Sequence, residues 1–329
     1  MAKERILSLK QTKGYFNLKG VVQGVNSKDF YKEGITKNGD NYRSIRFGVK
    51  TDNDNIIYVE LFGQENKLAY FYSKQDKLTE RVNWADRNNF SKETYELIGK
   101  KIGLVKGEDG KNVKRNLVEY DAVKYISENL KDGQWVFVDG ELEFSSFTKG
   151  EDIIRSKKFY INSLYSAKEE NFDDEEHSPT NDFKHKIIYT GIEKDEEIYK
   201  MSAVIVGYKT IENVEFDIEN KKLAANIKKR LKPYTALDAY GKIINKAITE
   251  EVEEVEDDGW GELDPFKKEK TIYDKKMLII GLDKDTFDEE TYAEDLVNKD
   301  LKALKSFGND NFGTTKDFNE EEDGDDSFF

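Results

Sequence analysis

The chain has 329 residues, 37% hydrophobic and 36% charged, with no cysteine, two histidines and a formal net charge of -14. The lack of cysteine excludes disulfides, thiolate metal sites and cysteine nucleophiles; His177 and His185 are not spaced as ligands on one helix face, so neither a metal nor a cofactor is expected. There is no run of about 18 apolar residues, and MAKERILSLK carries charges where a signal peptide needs an apolar stretch, so a cytoplasmic protein is expected.

The charge is unevenly placed. Residues 1–168 hold 30 Lys+Arg against 24 Asp+Glu, and residues 183–248 hold 13 against 9, so both are mildly basic. The acids gather in 169–182 (seven, no bases), 249–266 (nine, no bases) and 306–329 (eight, one base). A near-neutral body with acidic connections keeps room for a basic binding face.

In chain order, YRSIRFGVK and IIYVELF alternate apolar and polar residues as strands do, with the turn TDNDN between them. An insertion of roughly 57 residues follows, at about 64–120, where a helical sub-domain or clamp is expected. Ile126 to Lys131 then reads as a short helix running into QWVFVDGELEF, and the same unit returns at Ile227 to Lys232 before TALDAYGKII, with Gly140 falling on Gly241 at an offset of 101. KKFYINSLYSA at 157–167 matches KKMLIIGLDKD at 275–285 at an offset of 118, and the 17 extra residues coincide with the acidic run at 249–266. Weaker matches pair FGVKT (47–51) with VGYKT (206–210) at 159, and NIIYVEL (55–61) with NVEFDIE (213–219) at 158. Thr286 before TYAEDLVNKDLKAL reads as an N-cap, and that helix either packs on the second unit or serves dimerisation.

Strand, strand, strand, helix, strand, strand is the order of an OB barrel. The fold expected is mainly β: two tandem five-stranded OB-type barrels with a helical insertion in the first, followed by a disordered acidic tail. The domains are 1–168, an acidic linker at 169–182, a second barrel with its acidic insertion and helix at 183–305, and the tail at 306–329.

Proteins that bind single strands without sequence preference combine a cationic groove with aromatic rings on which bases stack. Alternation turns Tyr42, Arg46 and Lys50 of one strand and Tyr58 and Phe62 of the next away from the core, on the face that OB folds use for ligands. Tyr58 and Phe62 are candidates for stacking unless the insertion covers them. The loops at about 25–41 and 145–152 add Lys28, Phe30, Tyr31, Lys32, Lys37, Phe147 and Lys149. Their aromatics either stack on bases or anchor the loops. Trp84, between Arg81 and Arg87, either closes over the strand or belongs to the insertion's own core.

The chain ends in KDFNEEEDGDDSFF after a stretch without apolar periodicity. Phe328 and Phe329 can fill an apolar pocket while Asp325, Asp326 and the terminal carboxylate meet bases around it. This tail resembles that of bacterial and bacteriophage single-stranded DNA-binding proteins, more closely the phage type. No proline precedes the final phenylalanine, and two barrels in one chain are unlike the single-barrel bacterial tetramer. The resemblance implies a protein that protects single-stranded DNA, works in the host cytoplasm if viral, and recruits a polymerase, helicase, primase or recombinase in replication, recombination or repair. A tandem-barrel protein scaffold and an RNA-binding or strand-annealing protein are the alternatives.

No enzyme is expected. GEDGKN at 107–112 lacks the glycine and the hydroxyl residue of a Walker loop, with Val105 and Asn112 in their places. Asp52 and Asp54 read as turn residues. The acidic run at 249–266, with Trp260, either mimics nucleic acid or loops out.

Overall fold

The structure is a computed structural model and describes residues 7–149, 152–251 and 269–309. Strand β1 (Gly14–Gln23) is followed by the short β2 (Tyr31–Ile35), then β3 (Asn41–Lys50) and β4 (Ile56–Gln64). Five short strands fill the insertion: β5 (Leu68–Ser73), β6 (Leu78–Asn83), β7 (Tyr95–Leu97), β8 (Lys100–Gly103) and β9 (Arg115–Leu117). Helix α1 (Glu119–Asn129) leads into the long hairpin β10 (Trp135–Lys149) and β11 (Asp152–Ser166).

These strands close a barrel. β1 pairs with β3 and β10, β3 with β4, β10 with β11, and β11 returns to β4 in parallel through Tyr160 and Glu60. The second half repeats this with β12 (Asn181–Asp195), β13 (Ile198–Val206), β14 (Ile211–Ile218), α2 (Lys221–Arg230), β15 (Thr235–Glu251) and β16 (Glu269–Asp288). Its parallel closure joins Asp217 to Leu278. Both halves therefore have the five-stranded OB connectivity, with the helix between the third and fourth barrel strands.

The insertion differs from the helical clamp expected. Its one helical element within 64–118 is the 3-10 turn Trp84–Asp86, and β6, β5 and β7 form a small sheet. Ala69, Phe71 and Ser73 of β5 are buried while Tyr70 and Tyr72 are exposed, a strand alternation with bulky residues on both faces. Trp84, Phe90, Tyr95 and Leu97 pack on Phe71 and Val118 beneath it.

Two of the weaker repeat offsets also shift. Pairing places Glu60 and Asp217 at equivalent positions, each opposite the equivalent residue of the last barrel strand. Buried Val59 therefore corresponds to buried Phe216, whereas the offset of 158 sets it against Asp217. Val49 faces Val22 as Ala203 faces Tyr189, which sets Phe47 against Met201 and leaves most of VGYKT beyond the strand. A one-residue slip exchanges the faces of a strand, so register decides which side chains are comparable.

The barrels are fused. β1 and β12 pair antiparallel from Gly14 opposite His185 to Leu18 opposite Asn181, placing both barrels in one sheet. One core runs through both, with Phe144 edge-on to Phe216 at 6.1 Å. The TDNDN turn bolts them further: Asn55, buried, donates from Nδ2 to the Ile243 carbonyl (3.1 Å) and accepts at Oδ1 from the Asn245 amide (2.7 Å). The Ile243 carbonyl also accepts from the Asn181 side-chain amide (2.8 Å), so Asn55→Ala would leave the Asn245 amide without its partner, at roughly 1–3 kcal/mol. We expect it to lower unfolding free energy by about 2 kcal/mol in urea titrations.

The segment at 169–182 lies against the first barrel: Glu170 pairs with Lys19, and Phe172 packs on Trp135 at 5.0 Å. Helix α3 (Glu294–Asn309) covers the second barrel, with Val297 and Tyr292 packed among Ile188, Val204, Leu7 and Leu9. Thr286 does not cap it. That residue lies in β16, while Asp288 accepts from the amides of Glu290 and Thr291 in the turn before the helix.

His185 is fully buried, donates from Nδ1 to the Lys186 carbonyl (2.7 Å), and is pushed by burial from 6.5 to about 4. Leu18 holds the equivalent place in the first barrel, facing Val138 as His185 faces Ala239. Because the folded value is depressed, the stability tied to the neutral ring is complete above pH 6.5 and is lost as pH falls toward 4. Relative to His185→Leu, the natural chain should lose about 3 kcal/mol more stability between pH 7 and 4, measurable by chemical denaturation at each pH.

Candidate nucleic-acid interface

The outward face of β3 and β4 is built by pairing Arg46 opposite Glu60, Gly48 opposite Tyr58 and Ser44 opposite Phe62. Ile45, Phe47, Val49, Ile57, Val59 and Leu61 turn into the core, which aims Tyr42, Arg46, Lys50, Tyr58 and Phe62 outward as the alternation predicts. Tyr58 remains 45% exposed and Phe62 36%, so the insertion does not cover them. The Arg46 guanidinium lies 4.6 Å from the Tyr58 ring centre, and Tyr42 stacks on Phe62 at 5.5 Å with 23° between the planes. Lys50 reaches the Phe172 ring at 6.0 Å, on the linker side. Glu60 is offset by Lys158 of β11 at 4.0 Å.

The loop residues divide. Lys28, Lys32 and Lys37 are exposed, and Lys32 pairs with Asp29 at 2.9 Å. The hydrogen bond from Lys32, with the charges of Lys28 and Arg46, holds the Asp29 carboxyl below its usual value, and the Arg46 amide donates to the Phe30 carbonyl (2.9 Å), which ties this loop to the cationic face. Phe30, expected to stack or anchor, is 6% exposed and packs edge-on to Phe47 at 6.4 Å, so it is a core residue. Tyr31 belongs to the ordered strand β2, opposite Ile45; burial and its hydrogen bond to Glu33 (2.6 Å) push its hydroxyl up to about 12. The loop is shorter than expected because Tyr31–Ile35 pair with β3.

Trp84 sits in the insertion's core beside Tyr120 (6.3 Å) with the Arg87 guanidinium 4.2 Å from its ring, and Asp121 holds that arginine. It does not reach the β3–β4 face as a free lid. The side chains of Phe147 and Lys149 lie outside the described residues, as do Asp325, Asp326, Phe328 and Phe329 of the tail and Trp260 of the acidic insertion.

Beside Tyr58 opens a groove of about 550 Å³ between the barrels, whose cations include Arg46, Arg155, Lys157, Lys158, Lys275 and Lys276. Of these cations, the sequence alone places only Arg46 in a binding face. The signal for the four lysines is the Lys-Lys step that opens both matched segments at 157–158 and 275–276.

The second barrel does not repeat the aromatic face. In the register set by Glu60 and Asp217, Glu215 replaces Tyr58 and Glu219 replaces Phe62, while Lys200 pairs with Asp217 at 2.9 Å. Among the described residues no cluster of His, Cys, Asp and Glu is arranged to hold a metal, and no helix is long and apolar enough to cross a membrane.

By structure, the chain is similar to the single-stranded DNA-binding protein from Thermus aquaticus, at 9% identity and a TM-score of 0.39 over 83% of this chain and 93% of that one. A deletion mutant of that protein aligns equally, over 94% of its length. A small single-stranded DNA-binding protein from Streptomyces coelicolor aligns at 9% identity and a TM-score of 0.20 over 48% of this chain and 96% of that one. Likeness at this level assigns neither ligand nor activity. No curated protein matches the sequence. The YorF family model matches residues 73–314, which take in most of the insertion, the helix and closing hairpin of the first barrel and the whole second barrel, and the chain belongs to the YorF family.

Proposed function

We propose that this protein binds single-stranded DNA, without sequence preference, on the β3–β4 face of its first barrel. The observation that carries this reading is the exposed Tyr58 ring, braced by Arg46 and flanked by Phe62, at the edge of a cationic groove. Aromatic rings offer every base a stacking surface, and the cations track phosphates. A duplex hides the faces of its bases, so the same surface favours single strands. The protein acts by binding and not as an enzyme. The acidic segment carrying Asp325, Asp326, Phe328 and Phe329 would serve as a docking peptide for replication, recombination or repair proteins.

Fluorescence anisotropy with labelled oligo-dT, oligo-rU and duplex DNA of matched length tests this. Salt-sensitive binding of dT well above duplex is expected, undiminished by removal of residues 317–329. Equal or stronger binding of rU would make RNA the ligand. No binding of either single strand at low salt would turn the two barrels into a protein scaffold.

A further inference from the structure

The groove between the barrels extends beyond the aromatic face, and its composition follows from the repeat. β11 and β16 are the equivalent closing strands of the two barrels, each carrying a Lys-Lys step at the same place, Lys157 and Lys158 in one and Lys275 and Lys276 in the other. Fusion of the barrels through β1 and β12 brings both steps to one groove, with Arg155 beside them. Some of this charge is balanced: Lys158 by Glu60 at 4.0 Å, Lys276 by Asp274 at 3.2 Å and Glu219 at 3.8 Å. Lys157 reaches solvent, yet the chain packed around it pushes its ammonium below the ordinary lysine value; Asp217 opposes, and Lys200 and Lys275 push the same way. Like charges held close together are a standing electrostatic cost that an anion between them relieves.

We infer that this groove is a second phosphate-binding subsite, contributed jointly by both barrels, through which a strand stacked on Tyr58 continues. Tyr58 and Arg46 line the groove as well as the face, so the two surfaces are continuous. The groove walls come from three hairpins, β3–β4, β10–β11 and β15–β16, and Asn55 and Asn245 lock the first to the third, so the subsite is held open before the ligand arrives. The second barrel then acts in binding through its closing strand, although its own β13–β14 face carries Glu215 and Glu219 in place of the rings. This inference rests on the single-strand reading above.

The test compares the full chain with Lys157→Gln/Lys275→Gln, one lysine from each barrel. Oligo-dT of about 6 nucleotides, short enough for the face alone, is compared with oligo-dT of about 20, longer than the roughly 4–16 nucleotides that one barrel takes. With the long oligomer the slope of log affinity against log salt should become shallower by about 1.4, two phosphates at roughly 0.7 each. The long-over-short affinity ratio should also fall several-fold, with Lys275→Gln alone giving part of the effect. A natural chain that binds long dT while the double variant keeps its salt slope and length ratio would overturn the subsite and leave the aromatic face standing. A natural chain that binds no dT would overturn the single-strand reading itself. Circular-dichroism melting checks that the variants are folded, and both lysines reach solvent, so no core packing is lost.

Discussion

Replacing Tyr58 and Phe62 together by alanine should weaken single-stranded DNA binding by about 2–6 kcal/mol, at roughly 1–3 kcal/mol per stacked base. That is a loss of at least about 30-fold in anisotropy titrations. Both rings point away from the core, so the variant should melt near the natural chain, and the loss will be one of contact and not of folding. Glu215→Ala, at the place equivalent to Tyr58 in the second barrel, should leave affinity unchanged or slightly raised. A double variant that binds as tightly as the natural chain would move the ligand elsewhere.

The largest effect on folding is expected at the glycine shared by both repeats. Gly140 and Gly241 lie at bulges where the fourth barrel strand crosses the fifth. A Cβ there would stand 1.8 Å from the Tyr160 carbonyl oxygen in one barrel and 1.9 Å from that of Leu278 in the other. Both obstacles are backbone, so the strand itself must move. Gly140→Ala and Gly241→Ala should each cost on the order of 4 kcal/mol, at the upper end of overpacking, read as a large fall in the urea midpoint. Because one core joins the barrels, each variant should also destabilise the neighbouring barrel, giving a single transition and not two.

The barrel-forming parts of the chain are legible in sequence because their signals are local. The alternation in YRSIRFGVK and IIYVELF sets the outward face, and the helix-then-glycine unit marks each fourth strand. Gly140 and Gly241, visible in sequence only as a repeat, acquire a reason in the pinched bulge. What sequence does not reveal depends on contacts distant along the chain. Pairing of β1 with β12 fuses the barrels and creates the groove, and no residue in GYFNL announces it. Phe30 reads as exposed because it stands among lysines and turn residues, yet Phe47 and the edge strand β2 enclose it. The insertion reads as helical because Tyr70 and Tyr72 put rings on the outer face of β5, hiding its alternation from a count of apolar residues.

In the binding mode proposed, the single strand lies across β3 and β4 of the first barrel. Photocrosslinking of iododeoxyuridine-substituted oligo-dT to the full chain, with the modified peptides mapped by mass spectrometry, addresses that location directly. Crosslinks concentrated at Tyr58 and Phe62, with weaker ones at Tyr42, are the result expected. Crosslinks confined to the exposed rings of the insertion, Tyr70 and Tyr72, or to the second barrel, would contradict it.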